Sequence, residues 1–294
     1  RRRLGIDRRL AKAVPRRSAG VRDREPRQHR VDRVRIIAVR RDDDDTARYG
    51  VRLGGVFPGR EGDARSLVGR TRTASVGPAE RLRLAVVSCA SLAHGYFHIY
   101  RELAERLDLD AVVHLGDYIY EYASDHYGSV RPYDPPTEIV SLSDYRRRHA
   151  WYKRDADLRA VHQQHPMIAI WDDHEFANNA WRDGADNHFP KTEGLWSARK
   201  AVAMQAYFEW MPIREQPDGR IWRRFVYGNL VDLLMLDTRI WGRDQQQMNL
   251  VDDANRNVLG DDQEQWVYRN VAGSTARWKV IGQQVLINPI HPWV

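Results

Sequence analysis

Cysteine is nearly missing from this chain. Cys89 is the sole thiol among 294 residues, so no internal disulfide framework exists. An isolated cysteine is most often a small buried apolar residue, although its thiolate also serves as metal ligand or nucleophile. Long apolar runs are missing too. None approaches the roughly 18 residues a bilayer-spanning helix needs, so no membrane span is expected. The opening Arg1-Arg2-Arg3 leads into further charge, not into the apolar core of a signal peptide. Aromatic residues are scarce before residue 65, and no aromatic is interleaved with the densest positive charge there. That withholds the stacking platform a single-stranded nucleic-acid binder uses.

The formal net charge of +7 is unevenly spread. Residues 1–50 carry 17 Lys+Arg against 8 Asp+Glu, and the remainder carries 30 against 32. The basicity therefore belongs to a head segment. Residues 1–65 show no sustained hydrophobic period apart from Val34 to Val39, and Asp42-Asp43-Asp44-Asp45 breaks the pattern. Composition predicts a poorly ordered head over 1–65 and a folded domain over 66–294.

The folded part reads as α/β. An apolar strand runs from Leu82 to Cys89, a helical stripe follows through Ile99, Tyr100, Leu103 and Leu107, and Ala111 to Leu115 is the next strand. That order predicts a parallel pair. A Pro- and Tyr-rich loop fills 125–139. Helices are expected from Ser143-Asp144 and over Asp157 to Gln164, then a buried strand over Met167 to Trp171. Leu195 to Trp210 reads as a helix. Ile221 to Val226 and Leu230 to Leu236 flank Gly228-Asn229 as a hairpin. A helix over Asp262 to Val271 and a strand over Trp278 to Ile287 complete the pattern.

Four of these strands end in groups of metal-ligand type: Cys89; Asp117 with Tyr120; Asp172, Asp173 and His174; and Asp237 with Arg239. In α/β sheets the functional site lies off the carboxyl ends of the strands. Carboxylates, a phenolate and the amides of Asn178 and Asn179 are hard donors suited to Fe(III), Mn, Ca or Mg, and a thiolate beside a phenolate favours high-valent iron. Two cations roughly 3.5–4 Å apart, bridged by one carboxylate, clamp a phosphate and activate water. Asp117 is the natural bridge. His174 is the candidate proton donor to a leaving oxygen, and Arg239, or an arginine of the 146–148 cluster, the phosphate fork. The bland alternatives are turn formation by Asp117 and Asn178-Asn179, a solvated turn at Asp172 to Glu175, and a structural ion pair at Asp237. Tyr118 and Tyr122 read as packing residues. His94, His149 and His162 read as surface or supporting groups.

The runs His114-Leu115-Gly116-Asp117-Tyr118-Ile119-Tyr120-Glu121-Tyr122, Trp171-Asp172-Asp173-His174-Glu175 with Asn178-Asn179, and Leu236-Asp237-Thr238-Arg239 together resemble the PhoD-like alkaline phosphatase D family of metallophosphatases. Ser88-Cys89, Gly95-Tyr96-Phe97, Val68 to Thr73 and Gly282 to Val285 support the likeness. The resemblance implies a metallophosphatase-type α/β/β/α sandwich, hydrolysis of phosphomonoesters and phosphodiesters, and an Fe(III) plus Ca(II) centre, with Mn or Zn as substitutes. It carries over Cys89, Asp117 and Tyr120 as iron-side ligands, Asp173 with Asn178 or Asn179 on the second-metal side, and His174 as catalytic histidine. It also implies an exported protein with an Ig-like domain before residue 65, acting as a monomer on a phosphate ester. The family's closing Gly-Asp-Val-His segment, which supplies further ligands, is not found in this sequence. The expectation is therefore an incomplete C-terminal part. The alternatives are a truncated, non-catalytic relative and a nucleic-acid binder working through the basic head.

Overall fold

A computed structural model describes residues 35–41, 46–53, 64–72, 74, 77–247 and 253–286. Expectations for 1–34, Asp42 to Asp45, Thr73, the far end of the last strand at Ile287, and His291 to Val294 lie outside the described residues.

The described residues build three sheets of three strands each. The first is antiparallel: β1 (Arg35–Arg41), β2 (Thr46–Leu53) and β3 (Ala64–Arg72). Composition predicts no element in the head, yet β1 and β2 lie within it. The Val34 to Val39 run is the one apolar period there, and β1 covers most of it. Arg-rich strands have too few apolar residues to announce themselves, since strand propensity mostly reflects packing against neighbours.

The second sheet is parallel, in the order β4 (Leu84–Val87), β5 (Ala111–His114), β6 (Met167–Ala169). Val86 pairs with Val113, and Val113 with Ile168. α1 (His98–Glu105) links β4 to β5. α2 (Leu142–Tyr152) and α3 (Ala156–Gln164) link β5 to β6. α2 begins one residue before the expected start because Ser141 and Asp144 form a reciprocal capping box. Asp155 caps α3 by accepting from the amides of Asp157 and Leu158, both at 3.0 Å. Helix α1 packs on α3. β5 is the central strand and buried throughout, as a parallel strand covered on both faces must be. β4 is an edge strand instead of a fully buried one, and Val86 is 61% exposed.

A short helix, α4 (Pro190–Glu193), follows the loop after β6, with proline at its start. The next helix, α5 (Trp196–Trp210), lies against α2. The third sheet then forms from β7 (Arg223–Tyr227), β8 (Val231–Met235) and β9 (Trp278–Gly282), with α6 (Asp261–Ala272) between β8 and β9. The β7–β8 pair is the expected hairpin, turning at Gly228 with φ 54°. β8 is wholly buried and pairs in parallel with β9, Leu233 opposite Val280. Only Gly282 of β9 is buried. A Cβ at Gly282 would lie 2.5 Å from Met235 Sδ and 3.4 Å from Leu115 Cδ2. The ends of β5, β8 and β9 therefore meet there, which brings the functional loops of two sheets to one place.

Candidate metal centre

The site is assembled from backbone that leaves the usual allowed regions. Cys89 after β4, Asp117 after β5 and Asn179 after β6 have φ of 55°, 55° and 52°. Non-glycine residues rarely adopt this left-handed conformation. Main-chain bonds hold it: Cys89 N–H donates to Gly116 O at 3.1 Å and Ala90 N–H to Asp117 O at 2.8 Å. Gly116 itself has φ 107° and leaves no room for a side chain, because a Cβ there would fall 2.5 Å from both N and Cβ of Asp172. That close approach sets the loop after β5 against the loop after β6.

Glu175 ties the same two loops together. Its carboxylate accepts from Asp117 N–H at 3.1 Å, Tyr118 N–H at 2.6 Å and Asp172 N–H at 2.8 Å. The residue is fully enclosed, and burial with the nearby Asp117 charge pushes its acidity far toward the neutral form.

Asp117 stands at the centre. One oxygen, Oδ2, receives Cys89 Sγ–H at 3.4 Å and Tyr120 Oη–H at 3.3 Å. The other, Oδ1, is buried and has no hydrogen-bond partner. Ligand atoms of Asp117, Asp173 and His174 lie within 4.8 Å of one another, a spacing able to hold one cation. The thiol, the phenol, Asp173 and His174 thus gather around the Asp117 carboxylate. Burial raises the Asp117 pKa, as does the neighbouring Asp173 charge, while His174 opposes it. Burial also raises Cys89, with Asp117 adding to the effect, and Tyr120 is raised by burial and the Asp117 charge. A buried carboxylate oxygen left without a donor, ringed by hard ligands, fits a cation.

His174 is held from behind. Its Nδ1–H donates to Glu121 Oε2 at 2.8 Å, and Glu121 Oε1 accepts from Asn178 N–H at 2.6 Å and Asn187 Nδ2 at 3.0 Å. The Tyr120 ring stacks on the imidazole at 4.3 Å. Burial alone would lower the His174 pKa. The Glu121 hydrogen bond and the charges of Glu121, Asp173 and Asp117 outweigh it and raise the value to about 9. With Nδ1 engaged, Nε2 is the ring nitrogen not committed to Glu121.

Arg239 closes the opposite side. Its Nε donates to Asp172 Oδ1 at 2.5 Å, and a terminal nitrogen lies 3.2 Å from Asp173 Oδ1. Burial and the Asp173 charge push the Asp172 carboxyl up to about 7 against the pull of Arg239. Asp237 serves as a turn former, accepting from Arg239 N–H at 2.9 Å and Ile240 N–H at 2.8 Å. It fixes the backbone from which Arg239 projects.

The Asn pair is split. Asn179 N–H donates to Asp173 Oδ2 at 2.5 Å while its side-chain nitrogen donates to Asp186 at 2.8 Å. Asn178 contributes its N–H to Glu121. The 146–148 arginines are not phosphate forks. Arg146 pairs with Glu209 and Arg147 with Asp134. Arg148 is fully buried and donates to the carbonyls of Tyr120, Tyr122, Pro135 and Thr137. It staples the Tyr120–Tyr122 segment to the proline-rich loop. His149 is buried as well, not a surface group. The sequence reading gave no role to Glu121 or Glu175. Their signal was available: acidic residues inside otherwise aromatic and apolar motifs are buried at a cost unless they hold something.

The profile of PhoD-like phosphatases matches residues 84–293. The chain belongs to that family. Alkaline phosphatase D of Bacillus subtilis (strain 168) is 40% identical over 248 residues, which is 77% of this chain and 41% of the relative. A solved structure of PhoD superposes with a TM-score of 0.71 at 38% identity, covering 82% of this chain and 48% of that one. The chain thus spans less than half the length of either relative. The likeness supports a metallophosphatase-like α/β fold. No described helix is long and apolar enough to cross a membrane.

Proposed function

We propose that this member of the PhoD-like family hydrolyses phosphomonoesters and phosphodiesters with the help of bound metal. The carrying observation is the Asp117 carboxylate, whose Oδ1 is buried and has no hydrogen-bond partner, gathered with a thiol, a phenol, Asp173 and His174. On this reading Asp117, Cys89 and Tyr120 would hold iron(III). Asp117, Asp173 and the amide oxygens of Asn178 and Asn179 would hold calcium, with manganese or zinc as the substitutes to test. Asp172 orients Arg239, or joins the ligands when metal enters. A metal pair held there supplies Lewis-acid polarisation of the phosphoryl group and an acidified water.

The chain's own residues do the rest. His174 gives its Nε2 proton to the leaving oxygen, while Glu121 holds the ring and stabilises the imidazolium. Arg239, braced by Asp172 and Asp173, offers its remaining N–H groups to the non-bridging phosphoryl oxygens. The fold reading extends to the α/β/β/α sandwich of metallophosphatases, made by the β4–β6 and β7–β9 sheets. The protein works as an exported monomer on a phosphate ester, with nucleic acid entering only as a substrate.

The test is metal content and bis(p-nitrophenyl) phosphate turnover on the same sample. We expect bound iron and turnover in the parent chain, and loss of both in Cys89→Ala and Asp117→Asn. Metal binding without turnover identifies a non-catalytic relative. Unchanged turnover in both variants refutes the reading.

A further inference from the structure

A second anion-attracting cavity lies outside the metal centre. Its volume is about 210 Å³, and its walls are Arg214, Arg220, Arg223 and Arg224 with the indoles of Trp222 and Trp266. It sits where the segment after α5 enters β7, with Trp266 of α6 forming one wall.

The charge there is only half neutralised. Asp218 lies 3.5 Å from Arg220, and Asp232 lies 2.5 Å from Arg224. Arg214 and Arg223 have no carboxylate partner among the described residues. Arg223 is held in place by main-chain carbonyls, those of Ile221 at 3.0 Å and Ala169 at 2.5 Å. Two guanidinium charges therefore remain for a ligand.

Trp222 contributes a largely buried side chain to the same wall, 5% exposed. The Trp266 indole adds an aromatic surface at the wall. Guanidinium forks match phosphate oxygens, and indole faces match flat rings.

We propose that this cavity binds a small phosphate monoester carrying an aromatic ring, of the mononucleotide type, at a site separate from the metal centre. The phosphate dianion lies between the two guanidiniums without a carboxylate partner, Arg214 and Arg223, with Arg220, whose contact with Asp218 is 3.5 Å, beside them. The ring rests on Trp266. The cavity volume accommodates the phosphate and sugar portion, and the ring lies at the mouth. The cavity wall touches segments that lead to both site loops. The Trp222 ring packs edge-on against Trp241 at 4.5 Å, two residues beyond Arg239, and Arg223 bonds to Ala169, three residues before Asp172.

The test is calorimetric titration with adenosine 5′-monophosphate, inorganic phosphate and adenosine. The protein is the full chain carrying Asp117→Asn, so that the nucleotide is not consumed. We expect one-site binding of the nucleotide that weakens at least tenfold when Arg214→Gln and Arg220→Gln are added. Both arginines are exposed, and an unchanged melting temperature verifies folding. Trp266→Ala should weaken the nucleotide and leave inorganic phosphate alone. Nucleotide binding that survives the double arginine substitution, or adenosine binding as tightly as its phosphate, overturns the proposal. So does the absence of heat with any probe. Turnover of bis(p-nitrophenyl) phosphate by the Arg214→Gln, Arg220→Gln chain reports on the metal centre independently, so the two readings fail separately.

Discussion

Gly116→Ala is the substitution that tests most directly how the centre is built. Two costs are expected. The first is conformational: φ at Gly116 is 107°, and a side chain there costs about 1–3 kcal/mol. The second is contact. The new Cβ would fall 2.5 Å from N and Cβ of Asp172 and 2.9 Å from its Cα. Backbone cannot step aside as a flexible side chain does, so the loops after β5 and β6 must separate, at about 2 kcal/mol more. Gly194→Ala isolates the first cost, because Gly194 also has positive φ (81°) but has nothing within 4 Å of its built Cβ. Thermal unfolding of both variants should differ by about 2 kcal/mol, or roughly 4–8 °C. The separation should also lengthen the Asp172 N–H to Glu175 bond of 2.8 Å and move Asp172 away from Asp117. Metal uptake should therefore fall in Gly116→Ala and not in Gly194→Ala. Equal destabilisation, with equal metal uptake, would mean that the two loops are not pressed together at this glycine.

Glu121→Gln should lower the His174 pKa of the metal-free protein from about 9 by at least about one unit, followed by imidazole NMR titration. Because that pKa is raised above the ordinary histidine value of about 6.5, the stability it contributes is complete below pH 6.5 and is lost as pH rises through 9. The variant should flatten this slope in urea titrations, and an unchanged slope would refute the role given to Glu121. Arg148→Met leaves the carbonyls of Tyr120, Tyr122, Pro135 and Thr137 without their buried donor. The expected loss is about 3–4 kcal/mol, visible as a fall of roughly 10 °C in melting temperature. Arg148→Lys should not restore it, since one ammonium cannot reproduce the planar fork. Iron bound by Cys89 and Tyr120 should give a visible charge-transfer absorption. Tyr120→Phe should abolish the phenolate part while the apo chain still folds; a spectrum unchanged by Tyr120→Phe would remove the phenol from the iron side.

Much of the fold was legible because burial repeats along it. β5 and β8 are mostly apolar and buried throughout, and α2 and α3 carry side-chain caps, so pattern and structure agree to within a residue or two. β1 and β2 were not legible, because Arg-rich strands carry little of the alternation that identifies a strand. β9 was legible as a strand, yet its exposure was not, since the same apolar residues serve a covered or an uncovered edge. At the site, strand-end residues could be picked out one by one. Their division of labour could not. Nothing in Arg146-Arg147-Arg148 distinguishes an exposed ion pair from a buried staple, and only the three-dimensional partners of Glu121 and Glu175 make one a brace for His174 and the other a clamp on two loops.

The left-handed residues give that division a physical reason. Four of the described non-glycine residues have positive φ, and three of them are Cys89, Asp117 and Asn179. In an ordinary extended exit from a strand, successive side chains point to opposite faces. A left-handed turn at Cys89 and at Asp117 breaks that alternation, and their side chains meet at 3.4 Å. Each such residue is strained. Here Glu175 offsets the strain through three amide donors, two of them from Asp117 and Tyr118. The same tightening leaves Asp117 Oδ1 buried and unpartnered. A site that only needed to be stable would have turned that oxygen toward an amide or toward water. Holding it empty-handed among Asp173, His174, Cys89 and Tyr120 makes sense when a cation is the missing partner, and the metal-free chain should then gain melting temperature on adding iron or calcium, by an increment that Asp117→Asn removes.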